Sequence, residues 1–400
     1  MTDFDVIIVG GGPAGSSAAI HLAKGGVRVL LAEQKKFPRE KLCGEFISPE
    51  CLEHFARLGA LGRMELAGGE RVSQTVFYAP SGRSLTVPSA WFGGGERAAL
   101  GLSRAEMDAR LLERAREVGV AVLEDAGLAG VIVEDGRIAG VRLHVAGGGE
   151  SEHRAAVTID ATGRQRAVLR RAGEGRVGEE KKRATLVAFK AHLEGARGAA
   201  RTCEIYFYPG GYGGLSPVEG GVSNLCFIAR ARDVRALESD AERVVREVLM
   251  RNRRAAHTLD GARAQTRWLG VAVESFGRHA PAPLAGLLAV GDAAAFIDPF
   301  TGSGMLMALE SGELAAQSIL QRLPEIARGR DAHDALANDY RAAYGARFDA
   351  RLRLCGLLRR AAFAPTRLAE AAVITLGASA GVRRRLARAT RRSVTPSPQR

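Results

Sequence analysis

Residues 3–33, DFDVIIVGGGPAGSSAAIHLAKGGVRVLLAE, carry the reading on which the fold turns. Residues 6–9 are continuously apolar, as in a strand of a parallel sheet covered on both faces. A glycine turn follows, then a predicted helix over 14–24 that stops at Gly25 and Gly26, then a second apolar strand over 27–32. That order and spacing make a βαβ unit. Gly10, Gly12 and Gly15 form a GxGxxG between the first strand and the helix. Gly10 makes the turn, Gly12 admits a pyrophosphate to the backbone, and Gly15 lets helix and strand pack closely. Pro13 and Ala14 open the helix, whose first N–H groups face the anion. Glu33 closes the second strand eighteen residues beyond Gly15, where its carboxylate accepts from an adenosine ribose, and Gln34 follows. The competing reading of Glu33 is the first residue of a surface loop.

Two later segments select FAD over NAD. In 159–170, IDATGRQRAVLR, a strand ends at Asp160–Gly163 beside the nucleotide, with Thr162 and Gly163 at its tip. In 289–304, AVGDAAAFIDPFTGSG, Asp292 closes a strand in position to hold a ribityl or ribose hydroxyl, and Pro299, Gly302 and Gly304 lead into a new helix. Backbone N–H groups over 301–305, including those of Ser303 and Met305, point at a group that gains negative charge on reduction. Stabilisation by a helix terminus there contributes about 1 kcal/mol, and about 2 when partly buried.

Four hundred residues suit two or three domains, and 46% apolar with 25% charged residues is a globular composition. The net charge of +13 raises a nucleic-acid reading, but residues 351–400 alone hold twelve arginines against one glutamate. The rest is close to neutral, unlike a domain built around a basic groove, so nucleic acid is not an expected partner. The basic tail is expected either to be solvated and partly disordered or to approach an anionic membrane. Five scattered cysteines without a CxxC argue for a reducing, cytoplasmic setting and against a metal site. Asp3 and Asp5 stand where a basic leader would be. The longest apolar stretch, 282–297, is interrupted by Asp292, so no spanning helix is expected.

The pattern further along predicts a helix over 102–119, a hairpin turning at Asp135 and Gly136, and alternating strands between 182 and 273 with one helix near 241–253. The expected organisation is an FAD-binding domain from 1–75, 100–175 and 270–330. A substrate sheet comes from 76–99 and 176–269, and a helical region with a basic tail covers 331–400.

GxGxxG with Glu33, LSRAEMD at 102–108, DATGRQRAV at 160–168 and GDAAAFIDPFTGSG at 291–304 occur in this order. Over about residues 1–325 the chain resembles the flavoprotein superfamily of para-hydroxybenzoate hydroxylase-type monooxygenases, flavin-dependent halogenases and geranylgeranyl reductases. The resemblance implies an α/β fold: a Rossmann-like FAD-binding domain with an inserted mixed or antiparallel β-sheet substrate domain. It implies that Arg104 contacts the FAD phosphates, that Val122 lies beside the adenine, and that Gly291 and Asp292 carry the family's glycine-aspartate motif. Arg166 departs from the family, standing where many members have serine. NAD(P)H is the implied transient electron donor. The halogenase Trp-x-Trp is missing, because Trp91 and Trp268 are the only tryptophans.

Residues 41–49, KLCGEFISP, with FIDPFTGSG and SGELAA, are most similar to the geranylgeranyl reductase branch. There the cysteine segment lines the pocket between cofactor and substrate, which makes Cys43 a wall residue and leaves Gly44 as room for the ring. The thiol has three open roles: protonating a carbon, tuning the flavin, or filling space. Cys51, Cys203, Cys226 and Cys355 read as packing. In 204–217, EIYFYPGGYGGLSP, the residues Tyr206, Phe207, Tyr208 and Tyr212 read as an aromatic wall for a hydrophobic small-molecule substrate, which Trp91, Phe92 and Trp268 extend. The alternative is a strand and turn packed for stability, and the spacing differs from the reductase version. Cys43, Tyr208 and Pro299 are the catalytic candidates. The expected reaction is hydride transfer to a C=C bond. The alternative is oxygen insertion into an aromatic, polyketide-like or terpenoid compound.

Overall fold

The computed structural model describes residues 3–93, 98–145, 147–173, 184–273, 276–298, 300, 302–326, 330–363 and 366–391. Its first sheet is five-stranded and parallel, in the order Leu287–Ala289, Val157–Asp160, Val6–Val9, Val29–Ala32, Ala121–Leu123. All four residues of Val6–Val9 are buried, as an apolar strand covered on both faces must be. One face carries the helix Pro13–Lys24, which packs along Gly304–Ile326, where Ser17 Oγ donates to the Leu309 carbonyl at 2.9 Å. The other face carries an antiparallel meander, Ala126–Glu134, Arg137–Val145 and Glu150–Arg154. Its first turn is the predicted Asp135-Gly136, both at positive φ. The third strand, ESEHR, has no apolar alternation and left no signal in the sequence.

The second sheet runs Arg263–Ala264, Leu186–Glu194, Ser223–Arg230, Gly211–Pro217, Thr202–Tyr208, Gln74–Tyr78, Ser84–Pro88, with Leu269–Val273 also paired to Leu186–Glu194. It is mixed, because Gln74–Tyr78 lies parallel to Thr202–Tyr208. Gly211–Pro217 is a strand despite its three glycines. Glycine is a weak strand former, but a Cβ at Gly213 would sit 2.9 Å from Phe227 and 3.1 Å from Leu249. Close approach of neighbours outweighs propensity there. The helix predicted near 241–253 is broken into Ala241–Glu247, a short turn at Leu249–Arg251, and Arg253–Thr258. Asn252 restarts it by accepting from Arg254 N and Ala255 N.

Among the described residues three helices follow: Arg330–Ala362, Thr366–Gly377 and Ala380–Ala389. The basic end departs from the solvated expectation. Arg391 is buried, stacks on Phe92 and donates to the Gly302 carbonyl at 3.1 Å. Arg351, fully buried, donates to the Arg391 carbonyl at 2.8 Å and pairs with Glu310 at 2.6 Å. Arg384, Arg385 and Arg388 remain exposed, so charge faces water while Ala387 and Thr390 face inward. Residues 392–400 lie outside the described residues. Among the described residues no helix is long and apolar enough to cross a membrane.

Candidate functional site

A cavity of about 830 Å³ begins at the C-terminal ends of the parallel strands and continues under the second sheet. The glycine turn forms its first wall. Gly10 adopts φ +110°, and a Cβ there would run into the Ala161 carbonyl; one at Gly15 would run into the Gly10 carbonyl. Gly12 differs, because the nearest atoms to a Cβ there are the guanidinium groups of Arg104 and Arg39 at 3.8 Å. Open space, a helix N-terminus and two arginines therefore meet at one point, which suits a pyrophosphate. Arg104 and Arg39 are aimed by Asp108, at 2.7 and 3.1 Å.

Glu33 is buried, and its Oε2 accepts from Gly11 N at 2.9 Å. A carboxylate has further lone pairs, and the residue lines the cavity beside Gln34, as a ribose acceptor must. Thr162 N and Oγ1 donate to Asp160 Oδ1 at 3.0 and 2.6 Å and so shape the turn that brings Thr162 and Gly163 to the wall. Pro13, Ala14, Gly291, Asp292, Gly302, Gly304 and Met305 also line it. Burial pushes the Asp292 carboxyl up, against the pull of Lys41, Arg104 and Arg164.

Three expected contacts are placed elsewhere. Val122 is hydrogen-bonded within the parallel sheet opposite Leu31 and packs on its core, and Ala126 and Leu128 line the cavity. Ser303 is fully buried with its Oγ turned to the Thr390 carbonyl at 3.4 Å. Gly15 supports the turn from behind. Pro299 lies outside the described residues.

Cys43 and Gly44 sit at the junction between the nucleotide half and the apolar half. The Cys43 carbonyl accepts from Asn224 Nδ2 at 2.9 Å, and its Sγ accepts from Glu45 N at 3.4 Å. Burial pushes the thiol up while Arg104 pulls it down, and burial prevails. Glu45, at φ 53°, turns its carboxylate into the protein. Oε1 receives Lys190 Nζ and Arg104 N, both at 2.8 Å, and Oε2 meets His192 Nε2 at 2.6 Å. Lys190 also pairs with Glu40. Glu40, Glu45 and His192 bring ligand-type atoms within 4.8 Å of one another, but the Lys190 ammonium already pairs with both carboxylates. The sequence reading missed this cluster. Its signal was Lys190 and His192 alternating within the otherwise apolar strand LVAFKAHLE.

The catalytic assignment of Tyr208 is corrected by strand periodicity. Cys203, Ile205 and Phe207 face the cavity, so Tyr206 and Tyr208 face the helices on the other side. Tyr208 Oη donates to the carbonyls of Tyr212 and Ile228, each at 2.9 Å, a core role. Tyr212, beyond the turn, is the tyrosine that reaches the cavity, and its hydroxyl donates to Asp298. Phe300 lies between Phe77, Phe207 and Tyr212, with ring centroids 5.9, 5.6 and 5.4 Å away. Phe92 lines the cavity, Trp91 lies under Arg383, and Trp268 packs on Phe227. Val373, Leu376, Leu386 and Ala387, from the last two helices, close the far end.

The site thus has an anion-binding end, a thiol at the junction and an apolar end. The family described as FAD binding domain matches residues 3–341. Digeranylgeranylglycerophospholipid reductase 2 of Methanopyrus kandleri is 29% identical over 334 residues, covering 81% of this chain and 78% of that protein. The structure of the flavin-dependent brominase Bmp2 is similar at a TM-score of 0.78 and 21% identity, over 96% of this chain and 93% of that one. A geranylgeranyl bacteriochlorophyll reductase-like protein of Thermoplasma acidophilum gives 0.77 and 22%, over 96% and 95%. Because the family match spans both sheets, and because Gly12, Glu33, Arg39 and Arg104 leave room and charge for the dinucleotide, the chain belongs to the FAD binding domain family and is an FAD-dependent oxidoreductase.

Proposed function

We propose that this oxidoreductase reduces an isolated C=C bond in a prenyl-type chain, with NAD(P)H as the transient electron donor. The observation that carries the reading is the continuation of the cavity beyond Cys43 into an apolar chamber of aromatic and aliphatic side chains. Ile205, Phe207 and Ile228 form its floor and Val373, Leu376 and Leu386 its roof. A long flexible hydrocarbon fits such a chamber by burying about 0.8 kcal/mol per methylene, whereas a small polar ring leaves most of it unfilled. Similarity to a reductase named for a digeranylgeranyl lipid supports the same choice. Bound FAD, once reduced, supplies the hydride. The chain's own residues hold the substrate, with Cys43 and Gly44 at the junction and Phe300 and Phe207 on the wall.

The C-terminal helices extend the reading to where the substrate is taken up. Leu357, Leu368, Ile374 and Val382 are exposed on them, among exposed Arg360, Arg367, Arg384 and Arg385. Apolar side chains among cations suit peripheral contact with an anionic lipid surface. The same helices roof the chamber, so a lipid substrate has a short path from bilayer to flavin.

The test gives chemically reduced holoenzyme a panel of prenylated and aromatic compounds, first without oxygen and then with it. A product that gains two hydrogens anaerobically is expected. Turnover only with oxygen, with isotopic oxygen retained in the product, would replace this reading with hydroxylation.

A further inference from the structure

Reduction of a C=C bond consumes a proton as well as a hydride, and an apolar chamber excludes the water that would provide it. Cys203 and Cys226 reach its wall, but neither lines a second cavity from which a spent proton is replaced. Tyr212 is placed differently. Its hydroxyl is bonded to Asp298, and Asp298 lines a second cavity of about 450 Å³ together with Arg278, Asp349, Arg353 and Arg359. The two cavities share Phe276, Phe296 and Ile297 as a partition. Tyr212 lines only the inner side of that partition and Asp298 only the outer, so their hydrogen bond crosses it.

We infer that Tyr212 and Asp298 form a proton-delivery pair, passing protons from the outer cavity to the substrate carbon adjacent to the one that receives hydride. This rests on the alkene-reduction reading. Asp298 Oδ1 accepts from Tyr212 and from Phe300 N at 2.9 Å. Among the described residues Oδ2 has no hydrogen-bond donor, and it faces Arg359 Nε at 3.5 Å, so it is the oxygen able to take a proton from the outer side. Burial raises the Asp298 carboxyl, and the Tyr212 hydroxyl, the Phe300 N–H and Arg359 offset only part of that rise. Burial and the neighbouring Asp298 raise Tyr212 further still.

The step balances as follows. With Asp298 protonated and donating to Tyr212 Oη, the tyrosine hydroxyl proton points into the chamber. The C=C π bond breaks as one carbon takes hydride and the other forms a C–H bond with that proton. Tyr212 Oη recovers the proton held on Asp298 Oδ1, the carboxylate left beside Arg359 is reprotonated at Oδ2 by water of the outer cavity, and rotation of the carboxyl about Cβ–Cγ returns that proton to the Tyr212 side. The electrons originate in NAD(P)H by way of the flavin, and the net change is addition of two hydrogens. Among the described residues the charged or titratable groups around the pair are Arg359, then Arg278, Asp349, Arg353 and Cys355 around the outer cavity, and Cys226 behind Tyr212.

The test uses FAD-loaded full-length protein in single turnover without oxygen, with a digeranylgeranyl glycerophospholipid as probe. Tyr212→Phe and Asp298→Asn are expected to slow substrate-dependent flavin reoxidation by about 10²-fold or more, with FAD content unchanged. The wild-type rate should fall as pH rises through the pair's titration. Asp298→Asn should remove that limb, and Arg359→Gln should move it to higher pH, because loss of the cation favours the protonated acid. Infrared difference spectra of the protein between high and low pH supply a readout free of turnover. A carboxyl band that grows in as pH falls, is absent from Asp298→Asn and is displaced in Tyr212→Phe, is expected. Wild-type reduction with Tyr212→Phe equally fast overturns the pair while leaving alkene reduction standing. If wild-type protein reduces no prenyl lipid, alkene reduction falls, and the proton-delivery pair, which rests on it, falls too; the infrared band then reports only the protonation state of Asp298. Should Asp298→Asn not fold, an unshifted limb in Arg359→Gln overturns the pair.

Discussion

Glu45 Oε1 meets the ammonium of Lys190 at 2.8 Å, across 145 residues of sequence, with neither side chain reaching solvent. The pair fastens the cysteine loop to the second sheet, and Asn224 holds the Cys43 carbonyl beside it. Burial alone would raise the Glu45 carboxyl, but His192, Lys190 and the Arg104 N–H together hold it below the ordinary range. Removing Glu45 leaves the buried Lys190 ammonium with only the partly exposed Glu40. Glu45→Gln is expected to cost about 2–4 kcal/mol in chemical denaturation, less than a fully orphaned charge. The double change Glu45→Leu with Lys190→Met should cost less than Glu45→Leu alone, since it removes both charges. Equal losses in single and double variants would show that the pair is not coupled.

Cys43 Sγ accepts a hydrogen bond from Glu45 N, which a hydroxyl accepts and a methyl does not. Cys43→Ser is therefore expected to keep FAD content and most of the rate of substrate-dependent flavin reoxidation. Cys43→Ala should keep FAD but slow that step by loosening the loop, and by less than Tyr212→Phe does. Stopped-flow reoxidation of reduced enzyme orders the three variants. A larger loss in Cys43→Ala than in Tyr212→Phe would return the thiol to the role of proton donor.

Leu368 and Ile374 lie exposed on the helix Thr366–Gly377, whose buried Val373 faces the chamber. Leu368→Glu with Ile374→Glu is expected to lower sedimentation with anionic vesicles while leaving FAD absorbance intact. Added salt should weaken the wild-type association through its arginines. Truncation after Val382 should do more. It removes the Arg391 contact to Gly302, so substrate-chamber integrity falls together with lipid binding. Vesicle binding that survives both changes removes the membrane reading.

Glu313, on the helix Gly304–Ile326, receives Arg57 at 3.1 Å and lies 3.1 Å from His54 Nδ1. Burial opposes its ionisation, but these partners hold its carboxyl down to about 2, from an ordinary 4.5. The folded value lies below the unfolded one, so the stabilisation is fully present above about pH 4.5 and is lost as pH falls toward 2. After discount for the partly exposed Arg57, Glu313→Gln should cost roughly 1–3 kcal/mol at neutral pH. The difference between wild type and variant should close across that acid window in thermal melts. A constant difference would assign the effect to packing.

The nucleotide half was legible because its determinants are local. Gly10, Gly12 and Gly15 act within one strand–turn–helix, Glu33 ends the next strand, and backbone sterics alone place the turn beside the helix N-terminus. The parallel strands could be read for the same reason, as short apolar runs bounded by glycine. Residue type could not say which side of a strand meets the cavity. Around Pro209 and Gly210 the alternation sends Tyr208 to the core and Tyr212 to the substrate, and only pairing with Ser223–Arg230 and Gln74–Tyr78 sets that sense. Nor does any local pattern announce that Glu45 will find Lys190 and His192, that Asp298 will stand between two cavities, or that Arg391 will be buried against Phe92. Each depends on charge compensation or burial supplied by residues distant in sequence, or by a helix beyond the nucleotide motifs. In this protein local sequence determined the cofactor, and long-range packing decided the walls, the buried charges and the route of the proton.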